Sequence, residues 1–217
     1  MNTKTRRKPA IGSVALVAAG PGDPDLVTLR AAYLLADAEV VISDTAALPV
    51  AHAHAQSHAH VVSTIGDNGI PLDHQSRAKL VAEAAKAGQR VVRLFAGDPV
   101  VDGSLAVEAA SLHKAKVPFE IAPGVSVVTS VPVYAGFTLT GGRTRSFQVL
   151  DADAPNIDWS RYSDGEQTLL FPSGADRAAD IARNLMAAGR APETPIVVTR
   201  DGTTVEQRSI VSTLESI

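Results

Sequence analysis

Residues 14–18 form an unbroken apolar run, Val14-Ala15-Leu16-Val17-Ala18, that ends in Gly20-Pro21-Gly22-Asp23-Pro24. Residues 91–95 repeat the design and end in Ala96-Gly97-Asp98-Pro99. A short continuous apolar run bounded by turn residues predicts a strand covered on both faces. Helical spacing follows each turn. Leu29, Ala32 and Tyr33 recur within 29–36, with Thr28 placed to cap that helix. Residues 76–87 form a second helical stretch stopped by Gly88, and residues 104–114 a third. Further strands are predicted at 39–42, 61–64 and 118–121, and the strand that carries the second apolar run is predicted over 89–95. Strand and helix in alternation predict a largely parallel sheet with helices on both faces.

The rhythm changes at Ala122-Pro123-Gly124, where proline and glycine together interrupt the pattern. Beyond it, the small apolar residues 126–134 predict a short buried helix. Strands are predicted at 146–150 and 168–171 and an amphipathic helix at 177–188. Strands at 195–199 and 207–214 flank Asp201-Gly202 as a hairpin, which makes the second sheet mixed. The expected organisation is a disordered basic arm at 1–11, an α/β domain at 12–122 and a second at 123–217. The chain stops at Leu214-Glu215-Ser216-Ile217 as a new helix would begin, so the second domain reads as cut short.

Composition narrows the chemistry. The 217 residues are 45% hydrophobic but only 4% aromatic, which predicts a core of alanine, valine and leucine. With no cysteine there is no disulfide, thiolate nucleophile or thiolate zinc site. A net charge of −3 supplies no general attraction for nucleic acid. No apolar run approaches the ~20 residues of a membrane span, and the basic N-terminus lacks the apolar segment of a signal peptide. A cytoplasmic protein with no nucleic-acid or membrane partner is expected. His52, His54, His58 and His60 make two His-x-His pairs in an alanine-rich stretch. On a helix His54 and His58 would be i,i+4 neighbours, but a solvated helix surface is the preferred reading, and no metal is expected.

The glycine turns carry the candidate function. A strand running into such a turn and then a helix uncovers backbone N–H groups and removes the side chains that would block them. At the carboxyl ends of parallel strands, that is where α/β proteins build small-molecule sites.

The first turn with its helix, residues 20–29, resembles the opening signature of the tetrapyrrole methylases. Three further segments are similar to uroporphyrinogen-III C-methyltransferases. These are residues 91–99; Pro123-Gly124-Val125-Ser126 with Tyr134-Ala135-Gly136-Phe137-Thr138-Leu139-Thr140; and residues 202–208. The resemblance implies two α/β domains with a cleft between them, S-adenosylmethionine in that cleft, S-adenosylhomocysteine as product, and a homodimer. It further implies C-methylation of uroporphyrinogen III to precorrin-2, on the route to sirohaem and cobalamin. Some members carry a uroporphyrinogen-III synthase domain, so a fused or associated synthase is a further implied partner.

The family's cofactor positions fall on Pro21, Ala96, Gly97, Asp98, Val101, Ser126, Val127, Ser173 and Gly202. Its candidate base matches Asp44, which as a strand-end aspartate could equally cap the next helix. Asp98 is either a cofactor ligand or a turn aspartate bonded to its own backbone. Tyr134 is a substrate contact or a core residue; Arg143, with Arg145, grips substrate carboxylates or lies at a solvated strand entry. The sequence also departs from the family. A Lys-Arg pair expected after the third strand is replaced by Thr64-Ile65-Gly66-Asp67-Asn68-Gly69, and the family's His-Arg becomes Gly141-Gly142. These losses fall where a polycarboxylate substrate needs cations. They keep a second reading open: an S-adenosylmethionine-binding or scaffolding domain without catalysis.

Overall fold

The computed structural model describes residues 12–217; the expected arm at 1–11 lies outside the described residues. Five strands make one parallel sheet in the order β3-β2-β4-β1-β5. They are β1 (Val14–Ala18), β2 (Val40–Ser43), β3 (His60–Ser63), β4 (Val91–Phe95) and β5 (Glu120–Ala122). Every residue of β1, β2 and β4 is buried, as helices on both faces require. On one face Ala15, Val17, Val41, Val92 and Leu94 pack with Ala31 and Leu35 of α1 (Leu29–Asp37) and Val50 and Ala51 of α2 (Leu48–His54). On the other, Leu16, Ile42, Val91 and Phe95 meet Val81 and Ala85 of α3 (His74–Lys86) and Leu112 of α4 (Ser104–Lys114). Each such fully buried large side chain contributes about 1.5–3 kcal/mol.

Local signals place the helices. Thr28 Oγ1 accepts the Ala31 N–H at 3.2 Å, and Asp73 Oδ1 accepts the Ser76 N–H at 2.7 Å. The Ser76 backbone bond holds the Asp73 carboxyl below its ordinary value of 3.8. Gly88, at φ +90°, ends α3 as expected. The histidine-rich stretch differs from expectation. Helix α2 stops at His54 because Ala55 is extended, and His60 is drawn into β3 opposite Val40. His54 and His58 therefore do not share a helix, and His54 Nε2 lies 2.8 Å from the Pro24 carbonyl oxygen.

The chain divides into two compact units, one ending at Val125 and the next beginning at Ser126. The second opens with α5 (Val127–Tyr134). It pairs β6 (Ser146–Val149) parallel to β7 (Gln167–Leu170), and β8 (Pro195–Arg200) antiparallel to β9 (Arg208–Thr213). The strand directions are mixed, and the strands form two separate two-stranded ladders. Ile181, Ala182 and Leu185 of α6 (Ala178–Ala187) gather Tyr162, Leu214 and Ala152 into the core. Helix α5 was expected to be buried, yet only Pro132 is, and Val133 and Tyr134 are 74% and 51% exposed. Its sequence is mostly apolar but carries Thr129 and Ser130, and the core is organised by α6 instead.

Candidate functional site

Strands β1 and β4 are neighbours, so the glycine turns that follow them are too. Gly20 and Gly97 meet in an isolated antiparallel bridge. Both are in the left-handed region, at φ +86° and +64°, where a side chain is strained. The loop after β5 joins them: a Cβ on Gly124 would stand 2.9 Å from the Ala18 carbonyl oxygen and 3.1 Å from the Gly20 nitrogen. Three strand ends thus converge as bare main chain. Pro21 directly follows the bridge, and Ala96 and Asp98 flank its other half. Asp98 Oδ1 accepts the Val100 N–H at 3.3 Å and its carbonyl accepts the Val101 N–H at 3.0 Å, so it does shape its own turn. Val101 is 39% exposed on that turn.

Asp44 leaves the end of β2 beside this edge. It stands at the N-cap of the following helical turn, but its side chain makes no cap hydrogen bond there. Its Oδ1 accepts from Arg93 Nη2 at 2.7 Å, Thr64 Oγ1 at 3.1 Å and Arg77 Nη1 at 3.4 Å. Its Oδ2 accepts the Ala96 N–H at 3.1 Å, tying the carboxylate to the second glycine turn. Behind it, Arg93 is fully buried in the middle of β4, with its guanidinium 4.1 Å from the Phe95 ring centroid. Arg93 Nε and Nη2 donate to the two oxygens of Glu108 at 2.7 and 3.0 Å, and Glu108 is also fully buried. His74 Nδ1 lies 3.3 Å from Glu108 Oε1.

Sequence reasoning missed Arg93, Glu108, Arg77 and Thr64. The signal was present for one of them. Arg93 is the single charge inside Val91-Val92-Arg93-Leu94-Phe95, and a cation in a doubly covered strand needs a buried carboxylate partner.

In the second unit, Ser126 caps α5 by accepting the Val128 N–H at 3.4 Å, and Val127 is the first helical residue. Gly202, between β8 and β9, presses on the same helix: a Cβ there would stand 2.7 Å from Val131 Cγ2. Ser126, Val127 and Gly202 are therefore joined through α5. Ser173 is exposed in the loop after β7, and Tyr134 is half-exposed at the end of α5. Arg143 is exposed on a tight turn in which Gly141 and Thr144 exchange two 3.0 Å hydrogen bonds.

The segment that replaces the expected Lys-Arg pair closes on itself. Leu72 N–H bonds the Thr64 carbonyl at 2.8 Å and Gly66 N–H the Ile70 carbonyl at 2.9 Å, with no cation from 64 to 72. A groove of about 830 Å³ between α3 and α4 shares none of the candidate residues. Among the described residues no cluster of three or more His, Asp or Glu is arranged to hold a metal ion, and no helix is long and apolar enough to cross a membrane.

A five-stranded parallel sheet with glycine turns on adjacent strands, followed by a second α/β unit, defines a two-unit α/β protein with a ligand-type carboxyl edge. The sequence pattern of the Tetrapyrrole (Corrin/Porphyrin) Methylases matches residues 13–217, and the chain belongs to that family. It is 35% identical over 218 residues to siroheme synthase 2 of Aeromonas hydrophila subsp. hydrophila, covering 97% of this chain and 46% of that one. It is 34% identical over 217 residues to the uroporphyrinogen-III C-methyltransferase of Bacillus subtilis (strain 168), covering 95% and 44%. The chain thus spans less than half the length of these curated relatives. Among solved structures, uroporphyrin-III C-methyl transferase from Thermus thermophilus complexed with S-adenyl homocysteine superposes with a TM-score of 0.77 at 31% identity, covering 94% of this chain and 89% of that one. A cobalt precorrin-4 methyltransferase shares the fold, with a TM-score of 0.81 at 24% identity over 94% and 86% of the two chains.

Proposed function

We propose that this chain is an S-adenosylmethionine-dependent C-methyltransferase whose substrate is uroporphyrinogen III and whose product is precorrin-2. The observation that carries the reading is the Gly20–Gly97 bridge, with the Asp44 carboxylate bonded to the adjacent Ala96 N–H. Main chain stripped of side chains at three strand ends suits an adenosyl ligand recognised through backbone N–H and C=O groups. The residues this reading assigns to the cofactor are Pro21, Ala96, Gly97, Asp98, Val101, Ser126, Val127, Ser173 and Gly202.

S-adenosylmethionine, when bound, supplies a methyl group on a positively charged sulfur. The glycine turns would hold the donor so that the attacking carbon, the methyl and the sulfur lie in line. Orientation of this kind is worth roughly 7–11 kcal/mol of barrier. The methylated ring system then gives up a proton, which Asp44 would take at Oδ2, the oxygen facing Ala96. Tyr134 and Arg143 are the proposed tetrapyrrole contacts, with Arg143 pairing a substrate carboxylate. A homodimer belongs to the same reading. It is supported by apolar residues left exposed in the second unit, Val205 at 93%, Val211 at 76% and Ile210 at 59%.

The test is incubation of the chain with methyl-labelled S-adenosylmethionine and uroporphyrinogen III, alongside calorimetric titration with S-adenosylhomocysteine. Methyl incorporation is expected, and Asp98→Ala is expected to abolish cofactor binding; unchanged affinity would remove Asp98 from the site. A second reading, a cofactor-binding scaffold without catalysis, is favoured by the cation-free turn at 64–72. Adenosylhomocysteine binding with no methyl incorporation would establish it over the first.

A further inference from the structure

Arg93 and Glu108 bury a charged pair inside the first unit. Replacing such a pair by packed apolar residues is often neutral or stabilising, so stability is a weak reason for it. Its geometry has a definite output. Glu108 grips the guanidinium at two points, 2.7 and 3.0 Å, and Arg93 Nη1 donates to the Leu94 carbonyl at 2.7 Å. A planar fork fixed at three points has no remaining freedom, and its Nη2 is aimed at Asp44 Oδ1, 2.7 Å away. With Thr64 and Arg77 on the same oxygen, the carboxylate is rotated so that Oδ2 faces Ala96 N–H.

We propose that Arg93 and Glu108 are positioning residues that set the orientation of the Asp44 carboxylate against the second glycine turn. This rests on the reading of Asp44 as the proton acceptor. The Arg93 guanidinium bonds Asp44, Glu108 and the Leu94 carbonyl; in this proposal it works through Asp44, and Glu108 works through Arg93. A misplacement of about 1 Å at a reacting group can cost on the order of a hundredfold in rate, which is the scale of effect available to such a relay.

The full chain is compared with its Glu108→Gln, Arg93→Lys, Asp44→Asn and Asp44→Asn/Glu108→Gln variants. Glu108→Gln keeps the shape, and Arg93→Lys keeps the charge but loses the fork. For both, kcat of methyl transfer is expected to fall about tenfold or more, while KM for uroporphyrinogen III and calorimetric affinity for S-adenosylhomocysteine stay within about twofold. Glu108→Gln is expected to add no further loss in the Asp44→Asn background. Folded single variants with kcat near that of the unaltered chain, beside an inactive Asp44→Asn, overturn the positioning role alone. A fully active Asp44→Asn overturns the acceptor reading and this inference with it. A crystal structure of Glu108→Gln gives a readout without turnover: the Asp44 Oδ2 to Ala96 N–H bond is expected to be lost, and its retention overturns the proposal.

Discussion

The two units solve the problem of burying strands in opposite ways. In the first, β1, β2 and β4 are buried along their whole length and helices cover both faces. In the second, four of the six residues of β9 and three of the four of β6 are exposed, and each ladder has only two strands. Two-stranded ladders are marginal by themselves, so the second unit leans on the α6 cluster around Ile181 and Leu185. The contrast separates two jobs. The first unit is a rigid frame that can hold loops and a charged relay in fixed positions. The second spends much of its apolar side-chain surface facing outward, the condition expected of surfaces that receive something else.

The sharpest way to break this contrast is a truncation in the frame. Leu16→Ala removes a side chain that is 1% exposed and is expected to destabilise the first unit by about 2–5 kcal/mol, read by urea unfolding. Gly202→Ala tests a close approach in the second unit. Its Cβ would press on Val131, and a loss of about 1–3 kcal/mol is expected. A change near zero would mean that the β8–β9 connection is not held against α5. Val211→Ser acts on the open surface instead. Unfolding is expected to shift by no more than about 0.5 kcal/mol, while sedimentation is expected to show weaker self-association if the proposed homodimer uses this surface.

The smallest effect concerns pH. The Ser76 N–H lowers the Asp73 pKa in the folded chain. Its contribution is therefore present above the unfolded value of 3.8 and is lost as pH falls through the lower folded value. The stability gap between the unaltered chain and Asp73→Asn should close on acidification, measured by denaturation at pH 6 and at pH 3. A gap independent of pH would remove the cap from the account of α3.

Local elements were largely legible. The runs at 14–18 and 104–114 match β1 and α4 to the residue, the strand expected at 89–95 begins two residues later as β4, and Thr28 caps where expected. Apolar runs, caps and glycine stops act over about four residues, and so they can be read without knowing the neighbours. The histidine stretch failed for the complementary reason. Helix α2 ends at His54 as Ala55 turns extended, and His60 pairs with Val40 across twenty positions, a contact that no neighbouring residue signals. Helix α5 failed similarly, since apolar composition states a preference for burial but not whether a partner surface is available.

By itself, the chain's order of residues determined that glycine turns follow buried strands, that an acidic residue ends β2, and that the whole resembles one family. The tertiary structure alone decided that β1 and β4 are adjacent, so that Gly20 meets Gly97. It alone brought Glu108 from α4 onto Arg93, and Arg93 onto Asp44, forty-nine residues away along the chain. Strand order and buried charge pairing are settled by long-range packing, in which a guanidinium inside a sheet must find its carboxylates wherever the fold delivers them.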